Sequence, residues 1–194
     1  MLRFFVPLVT LLFLVAPSIS ADEAATSSAG TSATGLLAGD NISMFLVTKI
    51  GGAEDDGVET GATTCYRCKY GQGPMVMVFT RSVDAMVPKL VKALDAEIVK
   101  RDGSPLKAVV TLIGSQPDAL TKKAEALAGQ VKSEQVPIAV AKDSANGPAS
   151  YQIGRDVAVT VLLVNYSQVI DRHDFAADKI DVAAVMAQVN AMVH

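Results

Sequence analysis

The chain has 194 residues, 17 of them Lys or Arg and 20 Asp or Glu, for a formal net charge of -3. It has no block of basic residues and no Trp, so it lacks the concentrated positive face and the stacking platforms of a nucleic-acid binder. About 170 residues would remain after removal of an export signal, enough for one ordinary domain with a full core.

Met1 and Arg3 form a weakly basic start, and Phe4 to Val15 is almost wholly apolar. The small residues of Pro17 to Ala21 follow, as a signal peptidase requires. The pattern predicts a secretory signal peptide over residues 1–21, cut near Ser20 or Ala21. The apolar run falls short of the ~20 residues that span a bilayer, so cleavage is preferred to anchoring. No cysteine near the cut points to a lipoprotein. No later stretch reads as transmembrane: Val157 to Val164 is apolar but strand-length. Export would place the chain in the periplasm or outside the cell, where a disulfide persists.

Ala21 to Gly35 is small and polar, too poor in apolar surface to order itself, and opens a segment over 22–38. That segment is read as a flexible linker before a domain over 39–194. Ile42 to Ile50 predicts a strand. Gly51 to Gly57 is an acidic turn. It lacks the spacing and closing Glu of a calcium loop, so it is read as solvated. Gly57 to Gly73 is irregular and carries the only two cysteines, Cys65 and Cys68. Met75 to Phe79 is a continuous apolar run, as in a strand covered on both faces. Val83 to Lys100 has helical spacing, with Asp84 near its start and Pro88 expected to kink its first turns.

Leu106 to Ile113 predicts a further strand. Ser115 is the expected cap of a helix with Pro117 in its first turn, running to about Lys132. Val136 to Ala141 is a short strand, Asp143 to Pro148 a loop and Ala149 to Ile153 a helical turn. Val159 to Val164 and Gln168 to His173 predict a hairpin turning at Asn165, Tyr166 and Ser167. Ile180 to Val193 closes the chain as an amphipathic helix, with Ile180, Ala184, Val185, Val189 and Met192 inward. Helices between strands imply parallel pairing, and the closing hairpin implies antiparallel strands at one side.

Gly73 to Phe79 (GPMVMVF), Pro88, Val136 to Asp143 with Tyr151 to Gly154, and Thr160 to Ile170 together resemble the thioredoxin-like superfamily. The resemblance is closest to its peroxiredoxin-like branch, the alkyl hydroperoxide reductase/thiol-specific antioxidant type, and covers about residues 40–194. It implies an α/β fold: a three-layer α/β/α sandwich on a mixed central sheet, ending in a β-hairpin and a helix. It also implies thiol chemistry, but two hallmarks are displaced. The family's reactive cysteine follows the first core strand, where this chain reads Thr80 to Asp84. The family's cis-proline position is Val159 here. The C-x-x-C instead precedes the core strand, and connectivity expects it near that strand's N-terminal end.

Three readings of Cys65 and Cys68 stay open. One is a redox pair, with Arg67 between the cysteines favouring a thiolate. Cys65 would then be the attacker by analogy with other C-x-x-C pairs. The second is a structural disulfide pinning the loop. Loop entropy gives such a small ring at most about 2 kcal/mol, against ~3 for 15 residues. The third is half of a zinc or copper site, for which only His173 and His194 remain as histidine ligands. The redox reading implies no cofactor, and its partners would be protein thiols or disulfides of exported proteins.

Overall fold

The computed structural model describes residues 35–101, 103–142 and 145–194. The expected signal peptide over 1–21, the linker up to residue 34 and the loop positions 143–144 lie outside them. The strands are β1 (Val47–Gly51), β2 (Thr63–Thr64), β3 (Met75–Thr80), β4 (Lys107–Leu112), β5 (Ile138–Ala141), β6 (Val159–Asn165) and β7 (Gln168–Phe175). The helices are α1 (Tyr66–Tyr70), α2 (Met86–Lys100), α3 (Pro117–Val131) and α4 (Val182–Met192).

The strands form one sheet in the order β2-β1-β5-β4-β3-β6-β7. β3 runs parallel to β4, and β4 to β5, while the outer pairings are antiparallel. Every residue of β3 is buried, which explains its unbroken apolar run. The crossovers through α2 and α3 both step the same way across the sheet. Connections of one hand therefore put both helices on one face. Val87, Leu90, Val91 and Leu94 of α2 pack there with Leu120, Ala124 and Leu127 of α3 and with Val185 and Val189 of α4. The opposite face carries Met75, Met77, Phe79, Val109 and Leu162 under a thinner layer. That layer includes Leu36, Ile42 and Phe45, Tyr66 of α1, and Tyr151 and Ile153.

Several local expectations change. The strand expected from Ile42 begins only at Val47. Before it, the chain crosses the sheet face: Ile42 N donates to Ser167 O (2.9 Å), and the Phe45 ring packs 5.1 Å from Tyr151 and 5.5 Å from Phe79. α2 starts at Met86, so Pro88 sits in its first turn, where a backbone N–H has no helical partner to lose. It need not kink the helix. Gln116 rather than Ser115 holds the N-cap position of α3, without a side-chain cap bond, and Pro117 opens the helix. Ala184 is exposed, unlike the other inward positions expected in α4. The hairpin turns at Tyr166 and Ser167, with φ of 48° and 64°, the left-handed pair that matches the twist of the flanking strands.

Asp84 does the capping at α2. Its carboxylate accepts from Met86 N (3.0 Å), Ser82 Oγ (2.9 Å) and Asp178 N (3.3 Å). Partial burial pushes its pKa up, but these donors outweigh burial and hold it below the ordinary carboxylate range. Its contribution is therefore present at neutral pH and lost as pH falls through that depressed value. Asp84→Ala is expected to lose about 1 kcal/mol at pH 7, with the difference from wild type shrinking in acid. Parallel urea titrations at pH 7 and pH 3 check this, and an unchanged difference would remove the carboxylate from the account.

Candidate functional site: the C-x-x-C turn

β2 is only two residues long and pairs with β1 through Val47–Thr64 and Thr48–Thr63. Cys65 follows as the N-cap of α1, and its Sγ accepts from Cys68 N at 3.1 Å. A helical turn brings such i and i+3 positions together. Cys65 and Cys68 are joined as a disulfide, their Cα atoms 5.2 Å apart. The two cysteines differ in setting: Cys65 is buried at 9% exposure, whereas Cys68 is exposed. α1 ends at Gly71, where φ of 69° suits a residue without a Cβ. The segment expected to be irregular thus holds a two-residue strand paired to β1 and a short helix.

The two residues inside the ring reach in different directions. Tyr66 is 1% exposed and belongs to the core against Met75 and Met77. Its hydroxyl donates to Asp56 Oδ2 (2.8 Å). Asp56 Oδ1 in turn accepts from Lys49 Nζ and from Val58 N, both at 2.8 Å. Lys49 is 2% exposed, and its ammonium also donates to Ala53 O (2.7 Å) and Val58 O (2.8 Å). The turn expected to be solvated is therefore a wrapped loop around a buried cation. Of its three acids, Glu54 and Asp55 face water and Asp56 turns inward. Burial raises the Tyr66 pKa, with the hydrogen bond to Asp56 and that residue's charge adding to it. Burial likewise raises Tyr70, reinforced by the Asp56 charge.

Arg67 points elsewhere. Its Nη2 donates to Ser167 Oγ (2.9 Å) in the β6–β7 turn, and Tyr166 N donates to Gln72 O (2.8 Å). These bonds tie the segment beyond the N-terminal end of β3, the side that connectivity predicted. The hydrogen-bond partner of Arg67 is thus a hydroxyl of the hairpin rather than a sulfur.

At the other end of β3, Thr80 to Asp84 holds no sulfur. The Arg81 guanidinium binds carbonyls there: Ala145 O (2.7 Å), Val157 O (3.1 Å) and Gly154 O (3.2 Å). Burial lowers its pKa, and the nearby Asp156 charge opposes that shift. Among the described residues no peptide bond is cis. His173 Nε2 lies 3.0 Å from Asp171 Oδ2 on β7, and His194 lies beside Arg101. No three metal-ligating side chains gather among the described residues. A cleft of about 310 Å³ opens beside α1 between Asp55, Lys69, Tyr70, Lys107 and Glu134, and neither cysteine lines it.

No protein-family model matches the sequence, and no curated protein matches it. Solved structures do resemble the fold. An inferred thiol:disulfide interchange protein, DsbE, from Chlorobium tepidum superposes with a TM-score of 0.60 at 16% identity, over 82% of this chain and 99% of that one. An inferred protein disulfide isomerase from Bacteroides thetaiotaomicron gives 0.58 at 15% identity, over 81% and 91%. The AhpC of Mycobacterium bovis gives 0.60 at 14% identity, over 80% and 96%. The fold is thioredoxin-like, with the mixed sheet, closing hairpin and C-terminal helix that the resemblance implied.

Proposed function

We propose that the protein is an exported thiol–disulfide exchange protein whose working pair is Cys65 and Cys68. The observation that carries this reading is the asymmetric disulfide: one cysteine exposed, its partner buried and bonded to a backbone N–H. An incoming thiolate attacks Cys68 Sγ. The Cys65–Cys68 bond breaks as the new S–S bond forms, and Cys65 leaves as a thiolate stabilised by Cys68 N–H. A second thiol of the partner then attacks the mixed disulfide, freeing Cys68. The net exchange reduces this disulfide to two thiols and oxidises two partner thiols to one disulfide. In the reverse direction the exposed Cys68 attacks, opposite to the order expected by analogy.

Arg67 contributes a positive charge next to Cys68 and two residues from Cys65, favouring the thiolate forms. The partners are protein thiols or disulfides of other exported proteins, and the names of the two redox neighbours support that class. Export rests on the signal-peptide pattern of residues 1–21, followed by a linker and a domain whose core takes in Leu36, in the periplasm or outside the cell. No described helix is long and apolar enough to cross a membrane.

One observation favours a second reading, a non-catalytic domain with a structural disulfide: Tyr66, inside the ring, is part of the core. The reduction potential of the pair, by thiol trapping in glutathione buffers with metal assayed on the same sample, decides between them. A value near or above about -250 mV is expected, within the range of working oxidoreductases. A value below about -300 mV would mark a structural disulfide. Two thiols with stoichiometric zinc or copper would replace both readings with a metal site.

A further inference from the structure

On a helical turn, successive side chains are separated by about 100°. Residues two apart therefore face nearly opposite ways. Tyr66 points into the core, so Cys68 must point out. Whatever holds Tyr66 inward thus decides which sulfur meets a partner. Tyr66 is not held by packing alone. Its hydroxyl ends a buried chain: Tyr66 Oη to Asp56 Oδ2, Asp56 Oδ1 to Lys49 Nζ, each 2.8 Å. The chain is anchored at its far end, because the ammonium's three donors meet Asp56, Ala53 O and Val58 O.

We propose that Lys49, Asp56 and Tyr66 form a positioning device that fixes the rotation of the C-x-x-C turn, presenting Cys68 to partner thiols and keeping Cys65 as the buried leaving sulfur. The proposal rests on the exchange reading above and goes beyond it. These three residues touch no substrate. They act through the orientation of the ring that carries both sulfurs. When the disulfide is reduced, the covalent tie across the turn is lost but the Tyr66–Asp56–Lys49 chain is not. The two thiols therefore stay close, and their effective concentration for re-forming the bond stays high. A looser turn would make the disulfide easier to reduce.

The test uses the mature protein, fully reduced with a phosphine and freed of reductant. A short pulse of iodoacetamide is followed by peptide mass spectrometry to give the separate alkylation rates of Cys65 and Cys68. In the wild type, Cys68 is expected to react about tenfold faster or more, following exposure. In Tyr66→Phe the ratio is expected to fall about fivefold, the worth of one hydrogen bond. The reduction potential should rise by about 20 mV, the same factor at about 30 mV per decade. Asp56→Glu, which keeps the charge and moves the acceptor, takes the place of Tyr66→Phe if that variant does not accumulate folded.

A merely structural hydroxyl would lower thermal stability and leave both the ratio and the potential unmoved, which overturns the proposal. A wild-type ratio near one overturns it without any variant. The function reading fails separately. A wild-type potential below about -300 mV would remove exchange as the role, while a tenfold ratio would still show the orientation.

Discussion

Lys49→Met is expected to destabilise the protein by about 3–5 kcal/mol, the effect of removing one partner of a buried ion pair. The size follows from what remains behind. Asp56, 9% exposed, keeps its hydrogen bonds from Val58 N and Tyr66 but loses the ammonium it pairs with. Ala53 O and Val58 O lose a donor in the same step. A domain of this size has about 5–15 kcal/mol in total, so the loss is a large share. The pair itself is not expected to be worth that much. Lys49→Met combined with Asp56→Leu removes both charges and should recover part of the stability, because an apolar pair often replaces a buried ion pair without loss. Urea unfolding at pH 7 reads both variants. If the single change loses less than about 1 kcal/mol, the ammonium behaves as an exposed, hydrated group.

The same loop shows where the sequence stops being informative. The fold was legible because its signals are local. The unbroken apolar runs of β3 and β6, the 3.6-residue spacing of α2, and the polar turn between β6 and β7 each sit within a few residues. Their order then restricts the topology through the handedness of the crossovers. The Lys49–Asp56–Tyr66 chain has no such signal. Lys49 reads as an ordinary charge within Thr48-Lys49-Ile50, and Asp56 as one acid among three. Only the folded loop shows an ammonium at its centre, bound by Asp56, Ala53 O and Val58 O. One hint is present, a lone charge within β1, and it points to a partner without naming it.

The start of β1 was overread for a related reason. Ile42, Phe45 and Val47 are all buried, so the segment looks like one strand. Hydrophobic spacing reports which side chains are covered, not whether the backbone joins a ladder. α1 escaped notice from the opposite cause. Five residues, two of them aromatic, with a cysteine as cap, have little helix tendency of their own. The turn is held by the disulfide, by Tyr66 in the core and by Arg67 on Ser167. Sequence therefore located the candidate site by its cysteines but missed the residues that orient them.

Alkaline pH should unfold the protein steeply, and tyrosine burial is the reason. Tyr66 and Tyr151 are 1% and 0% exposed, and Tyr70 is half-buried. Burial raises the pKa of each well above the ordinary tyrosine range, although the Arg67 charge works against it at Tyr151. An unfolded tyrosine ionises near pH 10. Folded-state values above the unfolded one give a contribution fully present below about pH 10 and lost as pH rises towards the folded values. In that window the unfolded chain has released protons that the folded chain still holds, so stability falls with pH. Each fully held tyrosine contributes a slope of about 1.4 kcal/mol per pH unit. Tyr66 and Tyr151 together give about 3 kcal/mol per unit, with Tyr70 adding in the same direction. Within about two pH units this matches the stability of an ordinary domain. Ultraviolet difference absorbance should show these phenols ionising together with the loss of near-ultraviolet circular dichroism. Tyr66→Phe and Tyr151→Phe should each flatten the fall. Ionisation of all four tyrosines near pH 10 with the dichroism intact would mean that these rings are hydrated in the folded protein, and the packing assigned to the face beneath α1 would be wrong.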